Sequence, residues 1–424
     1  MLLTVVLIAV GAAAIVYTLA TPGKVALEND AKTAAALVQA RDALIGRAAA
    51  DNTRPGSLPC PDVDNDGALT MGIDYGGGGA CTSNVGRLPW RTLGLPDLRD
   101  GSGERLWYAL SNNFRDASGV TINSGTPGQL TITGTAPAAN VIAIVFAPGA
   151  ALSTQLRSAA NQNNVAHYLE GENSNGDTVF TTEATSTTFN DKLLPITREA
   201  LFPVVEMRVA REVRASLLNY FNDPAPVTPR RYLPLAAAFP GDTATEATYR
   251  GYLPTAGTCP IVPSLAAYLP AWFVANNWQQ YVVYAVAPRC TPKMVTNLIS
   301  IDLSDPQPQC ALSCTTAFVP PLVVQLCLVV SSVDPGAADC NNTTDGSPPG
   351  SLLTVGSTGS VRSIVAPASW PQTTPAQVRP CAAIGDCLEA VGASTENIDA
   401  SDNYVYVRPV RSPTNNDTLL IVAP

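Results

Sequence analysis

The hydrophobic pattern of this chain opens on an uncharged run. Between Leu2 and Ala20 there is no Asp, Glu, Lys or Arg, and Leu2, Leu3, Val5, Val6, Leu7, Ile8, Val10, Ile15, Val16 and Leu19 make the run apolar. A helix of about 20 residues spans about 30 Å, the hydrocarbon thickness of a bilayer. Residues 1–23 therefore predict a transmembrane or filament-core helix, interrupted at Pro22-Gly23. From Lys24 to Ala50 the pattern becomes amphipathic. Leu27, Ala31, Ala34, Leu37, Val38, Leu44, Ile45 and Ala48 recur at three- and four-residue steps, with Glu28, Asp30, Lys32, Gln39, Asp42 and Arg47 on the other face. Pro55-Gly56 ends it. The later apolar runs are short, at 106–110, 130–133, 141–146, 178–182 and 193–196, and predict strands.

At Glu199 the pattern restarts. Val205, Val209, Val213, Leu217 and Phe221 are at helical spacing over about 199–221. Blocks of the first half return in order. Arg41-Asp42-Ala43-Leu44 aligns with Arg214-Ala215-Ser216-Leu217, Leu58-Pro59 with Leu233-Pro234, and Leu95-Pro96 with Leu269-Pro270. Ala147-Pro148 then aligns with Ala366-Pro367, and Asn190-Asp191-Lys192-Leu193-Leu194 with Asn416-Asp417-Thr418-Leu419-Leu420. This order predicts an internal duplication, with domains at 24–198 and 199–424 and an insertion at about 290–350 in the second. The expected fold class is α+β: a long hydrophobic-then-amphipathic helix packed on antiparallel sheet, followed by two tandem heads.

Composition narrows the function classes. The chain is acidic, with net charge −9 and only 14% charged residues, which excludes nucleic acid as a partner because phosphate contact needs clustered Lys or Arg. Its 10 cysteines, an even number, predict disulfides and an oxidising destination. No Cys-x-x-Cys occurs, so zinc ribbons, thioredoxin-type sites and haem attachment are not signalled. A cleaved secretory signal would need a basic n-region, and no Lys or Arg precedes Lys24. A plain membrane anchor is the other competing reading of residues 2–20.

Asp62-x-Asp64-x-Asp66-Gly67 matches the opening of a calcium loop, in which alternate carboxylates precede a glycine turn. Ile73 stands where the bidentate Glu would be, and Asp74 is a substitute from next door. Asp62, Asp64, Asp66 and Asp74 are thus candidate ligands of a structural Ca²⁺, against the alternative of an Asx-rich turn. Cys60 and Cys81 bracket the loop and are expected to pair, as are Cys381 and Cys387. Among the other six, Cys259 with Cys290 and Cys327 with Cys340 are the pairings chosen from many open connectivities. No catalytic site is expected: His167, the single histidine, has no nucleophile elbow beside it, and Gly76–Gly79 lacks a phosphate-loop ending.

The apolar N-terminal helix, the Pro22-Gly23 break, the amphipathic continuation and a β-rich head with disulfides resemble type IV pilins and pseudopilins. The family's leader ending in Gly is not seen before Met1, so the numbering is expected to start at the mature end. Its usual glutamate at the fifth mature position is replaced by Val5. In the family that carboxylate neutralises a neighbour's amine within an apolar core, where an unpaired charge is costly. The resemblance implies a non-enzymatic structural subunit, held first in the inner membrane and then assembled through residues 2–22 into an extracellular filament with copies of itself or related subunits. Val5 points to the alternative, a tip subunit or adhesin. A membrane-anchored enzyme is the third reading.

Overall fold

The computed structural model describes the backbone of residues 2–223, with side chains from residue 23 on. Beyond these it describes 249–255, 265–287, 363–368 and 419–423, with isolated residues and short strands elsewhere between 233 and 406. The chain divides into two compact units, Met1–Val120 with Pro127–Leu201, and Thr121–Thr126 with Phe202–Pro424.

In the first unit, β1 (Val85–Arg87), β2 (Trp107–Leu110), β5 (Ala143–Ala147) and β7 (Lys192–Ile196) form an antiparallel sheet in that order. A smaller sheet has β3 (Leu130–Gly134) between β4 (Ala138–Val141) and β6 (Val179–Thr182), with β3 and β6 parallel. Every residue of β2 and β5 is buried, because both faces of the larger sheet are covered. Trp107, Ala109, Ile144 and Phe146 meet Leu130, Ile132 and Phe180 of the smaller sheet in one apolar cluster. The opposite face takes α1 (Leu2–Ala50), which packs on β5 and β7. Thr33, Ala36, Leu37, Ala40, Leu44 and Ala48 form its buried stripe, at the period that puts them on one side of a helix.

The expected hydrophobic-then-amphipathic helix is corrected here. Pro22-Gly23 does not break α1, whose backbone is helical throughout. The side chains of Leu2, Leu3, Val5, Val6, Leu7, Ile8, Val10, Ile15, Val16, Leu19 and Pro22 lie outside the described residues. Among the described residues no helix is long and apolar enough to cross a membrane. The physical reason is that the described part, from Gly23 to Ala50, carries Lys24, Glu28, Asp30, Lys32, Arg41, Asp42 and Arg47 around a single apolar stripe. The sheets are also not purely antiparallel, since β3 pairs with β6 in parallel.

The second unit repeats the two sheets of the first and adds two separate strand pairs, Met294–Val295 with Val329–Val330 and Cys314–Val319 with Leu322–Cys327. α2 (Arg198–Asn222) buries Leu201, Phe202, Val205, Val209, Val213, Leu217 and Tyr220. β8 (Arg250–Tyr252), β9 (Val282–Val286), β12 (Ser363–Pro367) and β14 (Leu420–Ala423) form an antiparallel sheet with the order of β1, β2, β5 and β7. A second small sheet has β10 (Leu353–Val355) between β11 (Thr358–Val361) and β13 (Val405–Tyr406), again with one antiparallel and one parallel pairing. Even the register returns. Gly86, Tyr108, Val145 and Leu194 stand side by side across the first sheet, and Gly251, Tyr284, Val365 and Leu420 across the second. The segment Thr121–Thr126 belongs to the second unit. There the Ile122 N–H donates to Asn276 Oδ1 (3.1 Å), and the Asn123 side-chain amide donates to the Asn276 carbonyl (2.9 Å).

Candidate metal-binding loop

The acidic loop is anchored at the free edge of β1. Asp62 makes a two-way bridge with Arg87, its N–H donating to the Arg87 carbonyl (3.0 Å) and accepting at its own carbonyl from the Arg87 N–H (2.7 Å). The Cys60–Cys81 disulfide closes the loop around it, with the Cα atoms 5.4 Å apart. Between them the chain turns on Asn65 and Gly67, both at positive φ. At Gly67 only glycine fits, for a Cβ there would come within 2.3 Å of the Trp90 indole nitrogen.

Three of the four candidate ligands come together. Carboxylate oxygens of Asp62, Asp64 and Asp74 lie within 4.8 Å of one another. Asp66 is not among them: it is exposed and accepts from the Ala68 N–H (2.7 Å). Asp62 and Asp74 are buried, and each of their oxygens is engaged by backbone. Asp62 Oδ1 accepts from Asp64 and Asn65 (3.1 and 2.6 Å), and Oδ2 from Gly67 (2.7 Å). Asp74 Oδ1 accepts from Val63 and Oδ2 from Thr70, both at 2.7 Å. Burial pushes the Asp62 carboxyl up to about 6. Asp64 and Asp74 push it the same way, while the N–H groups of Gly67 and Asn65 oppose.

This is not EF-hand geometry. Ile73, where the bidentate Glu would stand, is exposed, and all four carboxylate oxygens of Asp62 and Asp74 accept backbone N–H bonds. What the arrangement does, with the residues present, is fold the loop upon itself: two buried carboxylates gather five backbone donors that no strand satisfies. The second repeat manages without it. Ala237 makes the equivalent edge bridge with Tyr252, so an aspartate at that place is a property of the first repeat alone.

Of the remaining cysteines, Cys381 and Cys387 are bonded. Cys259, Cys290 and Cys340 lie outside the described residues, and for Cys327 only the strand backbone is described. Two features were not anticipated from sequence. Arg87 is buried with its guanidinium 4.2 Å from the Trp107 ring and 4.0 Å from that of Tyr168, donating to the carbonyls of Arg105 and Gln162. Burial lowers its pKa to about 10. The other is a pair of buried carboxyls, Glu170 and Asp191. Its one sequence signal is the return of Asn190-Asp191 as Asn416-Asp417.

No protein-family model, no curated protein and no solved structure matches the chain. The resemblance to type IV pilins therefore rests on the residues alone.

Proposed function

We propose that the chain is a structural, non-enzymatic subunit that assembles through α1 into an extracellular pilus-like filament, with copies of itself as partners. One observation carries this reading. Residues 23–32 of α1 are exposed without exception, Val25 at 55% and Leu27 at 70%, and the helix meets its own unit from Asn29, whose backbone lies against Gly101, and Asp30, which pairs with Lys192. The six residues before Asn29, 23–28, extend about 9 Å and are exposed on every side among the described residues. The sequence ahead of it, Leu2–Ala20, is uncharged. Apolar positions without intramolecular cover are the mark of a surface that meets a partner. The disulfides Cys60–Cys81 and Cys381–Cys387 suit an oxidising exterior.

Replacing Leu27 by Glu tests the proposal. Because Leu27 touches little of its own unit, the variant keeps the melting temperature of the parent. Fibres sheared from producing cells are expected to disappear. An unchanged fibre yield from Leu27→Glu would sink the reading.

A further inference from the structure

Glu170 and Asp191 lie in loops of the first unit and belong neither to the acidic loop nor to α1. Both are buried, 7% and 5% exposed. They brace one another through the backbone: the Glu170 N–H donates to Asp191 Oδ2 (2.9 Å), and the Asp191 N–H to Glu170 Oε2 (3.0 Å). Glu170 also accepts from the Asn190 N–H (3.0 Å) and the Gln155 amide (2.7 Å). Asn173 donates to Asp191 Oδ2 (3.0 Å) and accepts from the Thr181 N–H of β6 (2.8 Å). The odd atom is Asp191 Oδ1. It is buried and accepts no hydrogen bond, and the two reciprocal N–H bonds hold the Glu170 carboxyl beside the Asp191 side chain. Two ionised carboxylates so placed would repel with an orphaned acceptor between them, whereas one added proton turns the contact into a hydrogen bond.

We propose that Glu170 and Asp191 share one proton in the folded chain, forming a latch that ties the Gly171–Ser174 turn and β6 to the start of β7 and that tightens in acid. Among the described residues no cation competes for the pair. Arg157 spends its guanidinium on the carbonyls of Pro148, Gly149, His167 and Tyr168 and on Gln155 Oε1, with Glu104 3.4 Å away. His167 accepts from the Leu156 N–H, Lys192 pairs with Asp30, and Glu172 and Asp177 accept from Asn175. Tyr168 lies against Arg87, and Asp100 accepts from the Gly149 N–H. Among the described residues none forms an ion pair with Glu170 or Asp191. Burial, then the charge of Glu170, pushes the Asp191 carboxyl up to about 8.

The sign follows from linkage. The latched state holds a proton that the open state releases above the ordinary carboxylate range, so the latch is fully present below about 4 and weakens as pH rises to about 8. Above that both states are ionised and the dependence levels off. Hydrogen exchange of the full-length chain, corrected for the intrinsic rate, tests this in peptides covering 168–192. The opening constant is expected to rise by up to tenfold per pH unit between about pH 4 and 8 and then flatten. Asp191→Asn and Glu170→Gln each remove the slope, and one serves if the other fails to fold. Infrared difference spectra at pH 7 should show a protonated carboxylic acid band in the parent that Asp191→Asn lacks. A flat parent profile, a slope retained in the folded variant, or a missing band would overturn the proposal.

Discussion

Gly86 is where a single atom decides the edge of the first sheet. A Cβ there would lie 2.6 Å from the Asp62 carbonyl, inside the bridge that joins the acidic loop to β1. Gly86→Ala is therefore expected to cost about 2 kcal/mol, as overpacking against backbone generally does, with Asp62 and Arg87 amides losing exchange protection together. A substitution that leaves the unfolding midpoint unchanged would contradict the tight approach. At this scale the sequence was partly legible. The Asp-x-Asp-x-Asp-Gly spacing pointed to a loop of gathered carboxylates, and Asp62, Asp64 and Asp74 do gather. That Asp66 turns outward was not readable, because spacing orders residues along the chain and leaves open which N–H groups claim each oxygen. The partnership of Glu170 with Asp191 was beyond reach for a similar reason: it joins two loops that only the tertiary fold brings together.

Among the elements, α1 shows two regimes along one continuous helix. Its described part begins with ten exposed residues and goes on to a stripe in which Ala40, Leu44 and Ala48 are wholly buried against the sheet. Truncating the two leucines should separate these regimes. Leu44→Ala, removing a side chain with no exposure, is expected to destabilise by about 3 kcal/mol, while Leu27→Ala, at 70% exposure, stays within about 0.5 kcal/mol. Chemical denaturation measures both, and equal losses would contradict the division. The amphipathic stretch from Lys24 was legible from its period, since Leu37, Leu44 and Ala48 stand where a helix buries them. The break at Pro22-Gly23 was misread. A proline forfeits one backbone bond and kinks or ends many helices, but the helix here continues through it. The strand at 141–146 also divides, with Val141 ending β4 and Ala143 opening β5, a fault in a continuous apolar run that periodicity does not mark.

For the molecule as a whole, the repeat is the organising fact. The same strand order, the same mixture of parallel and antiparallel pairing and the same Gly-Tyr-Val-Leu register occur in both units. Short matched blocks such as Leu58-Pro59 with Leu233-Pro234 foreshadow this because they fall at edges and turns, where the backbone constrains the residue. The strands between them diverge in sequence, since any buried apolar residue serves there; Trp107 in β2 has Val283 at its counterpart in the register of β9. Gly86-Arg87-Leu88-Pro89 and Gly251-Tyr252-Leu253-Pro254 are the clearest matching pair, and they become visible only once β1 and β8 are superposed by register. Nothing in the repeat accounts for the exposed beginning of α1, which α2 does not share: Leu201, Phe202 and Val205 bury the first turns of that helix. This asymmetry is why we propose α1 as the assembling element. The direct test is photo-cross-linking in producing cells, with a photoreactive residue at position 27 or, as the buried control, at position 44. Assembly through α1 predicts a ladder of covalent multimers from position 27 and none from position 44. Monomer alone from position 27, in cells that carry fibres containing the chain, would contradict it.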